Sequence, residues 1–158
     1  MNDPRPLKQQ AQILTEQVGD TLARYLVLHN RLFTWKNIFG WNQFEEIKLA
    51  IPPLVEQLNQ ITADNKQGLE LAAQLPDELL DKPVITEFYR FMTEYLDALR
   101  LSVQIMGRLL TQLEAKSLKT GAFKQSAYEA DLVMYKKKID TYQLYGMELN
   151  RVVSTLKH

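Results

Sequence analysis

The stretch PLKQQAQILTEQVGDTLARYLVLHNRLFTWKNIFG, residues 6–40, decides the fold class. Its inward positions are Leu7, Ala11, Leu14, Val18, Thr21, Tyr25, Leu28, Leu32, Trp35 and Phe39, in alternating steps of four and three. That is the period of a long helix with one buried seam, whereas a strand would repeat every second residue. Pro6 suits a first helical turn and Gly40 suits a helix end.

Working outward, Asn42 and Glu45 are spaced as a capping box and open a second helix through Phe44, Ile47, Ile51, Leu54, Leu58 and Ile61. The short turn Gly40–Asn42 makes the two helices antiparallel neighbours. Pro52 and Pro53 remove two amide donors and crowd the preceding turn, so a kink or break is expected near Ala50. Asn65 falls on an apolar position, and fraying is expected across Thr62–Gly68 before Leu69, Ala72 and Leu75 resume the pattern. The segment between Pro76 and Pro83 reads as a short helical turn in a connector. A third helix from Pro83 carries Ile85, Phe88, Met92, Tyr95, Leu99, Val103, Met106, Leu110 and Leu113, and ends before Gly121. A second apolar stripe, Leu96, Leu101, Ile105 and Leu109, runs beside that seam. The last helix, from about Lys124, places Tyr128, Leu132, Tyr135, Ile139, Tyr142, Gly146, Leu149, Val153 and Leu156 in heptads. The expectation is an all-α, up-down-up-down four-helix bundle in one domain, 1–158, with coiled-coil-like packing and rods of about 50 Å.

Composition narrows the function. The chain has 158 residues, 46% hydrophobic, and 19 Lys+Arg against 19 Asp+Glu, which gives a formal net charge of zero. A zero balance lacks the basic footprint of a nucleic-acid binder. The absence of cysteine excludes thiolate nucleophiles, Fe–S clusters and Cys-ligated zinc. Met1–Gln10 is polar, and no uncharged run reaches the length of a membrane span, so the expectation is a soluble cytoplasmic protein without a transmembrane segment.

Few residues offer chemistry. A di-iron bundle needs two Glu-x-x-His pairs, and neither His29 nor His158 has a Glu three residues before it. A haem would take His29 on one side and Met92, Met106, Met134 or Met147 on the other; methionines at helical spacing are also what fills core gaps. Arg24 and His29 stand at the Arg-x4-His spacing that resembles the HEPN helical ribonucleases. The resemblance implies His29 as general base on a ribose hydroxyl and Arg24 as the group steadying the phosphate. About 140° separates the two around a straight helix, so they would meet at a dimer seam or a bend. No cofactor and no metal are expected.

Two aromatic groups stand out. Phe33, Trp35, Phe39, Trp41 and Phe44 cluster around the first turn, as a plug of the bundle end, a partner-binding hot spot or a tip touching a membrane interface. Tyr128, Tyr135 and Tyr142 form a ladder that meets Gly146 where the next large residue would fall, which requires either a close helix crossing or a small ligand. The expected function is a non-enzymatic helical protein–protein interaction or adaptor module that self-associates through the third helix. Its interface would be Leu96, Leu101, Ile105 and Leu109, with Trp41 and Phe44 at the tip. The alternative is a bundle holding haem or an apolar small molecule near His29, Tyr142 and Gly146, followed by a ribonuclease using Arg24 and His29.

Overall fold

A computed structural model describes residues 3–34, 41–119 and 121–156, with the backbone alone at 34 and 41–43. It contains four helices: α1 (Arg5–Thr34), α2 (Trp41–Ala73), α3 (Lys82–Ser117) and α4 (Gln125–Leu156). No strand occurs among the described residues. They form the expected up-down-up-down helical bundle. Gly40 and residues 35–39 lie outside the described residues, as do the side chains of Trp41 and Asn42 and so the expected capping box. Asp3 accepts the Arg5 backbone N–H at 3.0 Å and caps the start of α1. The bundle exposes 9430 Å², more than the roughly 8,200 Å² of a compact protein of this mass, as elongated rods must.

The cross-section is a flattened rhombus. α1 and α3 each meet all three other helices, whereas no Cα of α2 comes within 8 Å of one in α4 among the described residues. α3 therefore lies on the short diagonal and must bury more than one stripe. Leu96, Ile105 and Leu109 are buried inside the chain's own core, and Leu101 is half-buried.

α2 is one unbroken helix through Pro52 and Pro53, so of the expected kink or break the break is corrected. Both prolines are exposed, on the outer side of α2. Ile47, Leu54 and Leu58 meanwhile hold the two halves on the core. The expected fraying across Thr62–Gly68 is absent as well. Asn65, 2% exposed, donates from Nδ2 to the Tyr89 carbonyl at 3.2 Å and to Thr93 Oγ1 at 2.9 Å. Both amide protons of this seam residue are thereby paired across to α3, while its buried Oδ1 has no hydrogen-bond partner among the described residues.

Tyr89 ties three helices together. A Cβ at Gly68 would stand 2.2 Å from Tyr89 Cε1, so the ring lies against the α2 backbone at the one residue that admits it. Its hydroxyl continues to α1 and donates to the Leu7 carbonyl at 2.6 Å. At the same end, Lys82 Nζ donates to the carbonyls of Ala73 and Leu75, at 3.3 and 2.6 Å, satisfying acceptors at the end of α2.

Candidate functional site

The tyrosine ladder of α4 turns toward α1. α1 and α4 are antiparallel, and their backbones stand apart, bridged by long aromatic side chains. Tyr25 and Tyr135, both fully buried, share a hydrogen bond between their hydroxyls. The Tyr135 hydroxyl also lies 2.7 Å from His29 Nδ1. Tyr142 packs edge-on against both Tyr25 and Tyr95. Burial raises the pKa of Tyr25, Tyr95 and Tyr135 well above that of a free phenol. It lowers that of His29, so the imidazole is held neutral. Tyr25, Tyr135 and His29 thus form a chain of hydrogen bonds between neutral groups.

The residues expected at a ligand or catalytic site are distributed differently from the expectation. Gly146 faces α3, where a Cβ would stand 3.2 Å from Tyr95 Cε2. The gap in the ladder is therefore filled by the Tyr95 ring, which makes it a close crossing. Gly146 also lines a groove of about 350 Å³ that opens between α1 and α4 over Met92, Tyr95 and Tyr142, so Tyr142 and Gly146 of the expected ligand site share it while His29 is not part of its lining. His29 faces α4 through Tyr135, while Arg24 is exposed on the side of α1 that meets α2, beside Ala50 and Pro53. The helix thus directs Arg24 and His29 to different neighbours, and the ribonuclease pair is not assembled within the chain. No group of three or more His, Asp and Glu able to hold a metal occurs among the described residues.

The interface stripe expected on α3 also needs correction. Leu96, Ile105 and Leu109 are 0%, 3% and 0% exposed within the single chain, so no partner reaches them without unfolding it. Phe44 is buried at the start of α2 and is not a surface anchor. Trp41 lies outside the described side chains.

Exposed apolar side chains gather on α4. Only Tyr135, Tyr142, Leu149 and Val152 of its 32 residues are buried. Val133, Met134, Leu144 and Met147 are 56%, 46%, 58% and 70% exposed. Three of these belong to a second series, Ala130, Val133, Lys137, Asp140, Leu144 and Met147, in steps of three and four on the side of α4 opposite the ladder. All six are exposed. Neither Lys137 nor Asp140 forms an ion pair among the described residues. The signal was present in the sequence, but the inner ladder has the same seven-residue period, and the two central charges mask the outer series as a wet face. No helix among the described residues is long and apolar enough to cross a membrane. Comparison with protein-family models, curated proteins and solved structures finds no match to this chain.

Proposed function

We propose that the chain is a non-enzymatic helical interaction module whose contact surface is the outer face of α4. The observation that supports this reading is the exposure of Val133, Leu144 and Met147 in register on a helix with only four buried residues. Apolar positions at steps of three and four, interleaved with charges of both signs, suit a partner helix laid along α4. A membrane surface would call for a continuous apolar face flanked by basic residues. The ribonuclease alternative lacks an assembled Arg24–His29 pair, and the ligand alternative is left with an open groove at Tyr142 and Gly146 that His29 does not line.

The test is site-specific photo-crosslinking in living cells from position 144, with position 59 on the exposed side of α2 as the control. A protein adduct formed from 144 and absent from 59 is the expected result. Equal labelling from both positions, or none from 144, overturns the proposal.

A further inference from the structure

We infer that the partner on this face is a second copy of the same chain, paired antiparallel through α4 about a two-fold axis between Lys138 and Ile139; this inference rests on the interaction reading above. In antiparallel helix pairs the two kinds of seam position alternate across the interface, so a seam must read complementarily against its own reverse. The outer series does so. Set antiparallel on itself, Lys137 falls opposite Asp140 of the second copy, and Asp140 opposite its Lys137. Val133 falls opposite Leu144, and small Ala130 opposite large Met147. The two-fold repeats each match, giving six successive layers over about 25 Å without a like-charge or large-on-large clash. Shifting the register by one layer in either direction brings Val133 or Leu144 against a charge. The central charges thus select one register and one direction, as polar residues in helix seams do. Both have their charge free for this, since neither is ion-paired within the chain. The zero net charge of the whole protein adds no long-range repulsion between copies.

The experiment measures mass by sedimentation across a wide concentration range for the full chain, for Lys137→Glu, for Asp140→Lys, and for an equimolar mixture of the two variants. The wild type is expected to dimerise reversibly. Each variant alone sets like charges opposite one another in two layers and is expected to weaken dimerisation at least about tenfold. The mixture restores unlike charges in both layers, since the introduced carboxylate of one variant meets the introduced ammonium of the other, and the unaltered Asp140 meets the unaltered Lys137. It is therefore expected to recover a heterodimer. Both positions are exposed, so the variants should match the wild type in helicity and melting, which circular dichroism checks. A wild type that stays monomeric throughout overturns self-pairing. A dimer insensitive to both variants, or a mixture that fails to recover, overturns this seam. Crosslinking from position 144 separates the two failures: an adduct at twice 18.4 kDa supports a second copy, and an adduct with another protein keeps the interaction module while overturning self-pairing.

Discussion

α3 and α4 each carry a second set of apolar positions besides the inner seam, beside it on α3 and opposite it on α4, and the bundle treats them in opposite ways. α3 stands on the short diagonal and meets three helices, so its second series, Leu96, Ile105 and Leu109, is interior. α4 packs mainly on α3 and reaches α1 through side chains, so its second series is exposed. The pattern along a helix states how many faces want cover. Its place in the bundle decides which face the chain itself covers. An exposed second series is therefore a surface only on a peripheral helix.

The largest expected effect breaks or keeps this contrast directly. Leu109→Ala removes a fully buried side chain from the second series of α3 and should cost about 2–5 kcal/mol. Leu144→Ala makes the same deletion in the second series of α4, where the side chain is 58% exposed, and should change monomer stability by less than about 0.5 kcal/mol. Urea unfolding at a concentration where the chain is monomeric measures both. Equal losses would mean that Leu144 is covered within the chain.

A second pair of substitutions sharpens the contrast at the level of backbone approach. Gly68→Ala on α2 puts a methyl 2.2 Å from the Tyr89 ring, which is fixed by its hydrogen bond to Leu7. The overpacking should outweigh the gain in helix propensity and cost about 2 kcal/mol. Gly146→Ala on α4 meets Tyr95 at 3.2 Å, in a ring that borders an open groove and can give way. Its propensity gain of about 1 kcal/mol should offset most of the strain, for a net change near zero. Thermal melts of the two variants decide whether α2–α3 is the tight seam and α3–α4 the compliant one.

What was legible in the sequence follows from the same physics. Helix number, order and inner seams were readable because burial of one stripe repeats along the whole length of each rod. A kink or break at Pro52–Pro53 was expected from the lost amide donors, yet the helix continues because both prolines lie on the exposed side while Ile47, Leu54 and Leu58 pack on the core. Asn65 looked like a defect in a seam because its partners, the Tyr89 carbonyl and Thr93, lie on another helix. The site was less legible than the fold. Gly146 announced a gap, but the residue filling it, Tyr95, is 51 positions away. The stripe on α3 and the outer series on α4 both read as apolar positions in excess of one seam, and only the arrangement of the helices tells the interior one from the exposed one.

The smallest effect concerns how α4 is held to α1, and it is read through pH. His29 bonds Tyr135 through Nδ1, and burial lowers its pKa below that of a free imidazole. The unfolded chain therefore binds a proton at His29 more readily than the folded one, so stability rises with pH through this range. The stabilisation is complete above the ordinary histidine pKa of about 6.5 and is lost as pH falls toward and through the lowered value. A protonated His29 donates from both ring nitrogens, so the Tyr135 hydroxyl can then only accept from Nδ1. Wild type and His29→Gln should melt alike at pH 8 relative to their own references, while the wild type loses more on moving to pH 5. Parallel losses in both proteins would show that the carboxylates, not this bridge, set the acid sensitivity. Because α2 and α3 are joined through Gly68 and Tyr89 without an imidazole, amide hydrogen exchange at pH 5 should speed up in α4 before it does in α2.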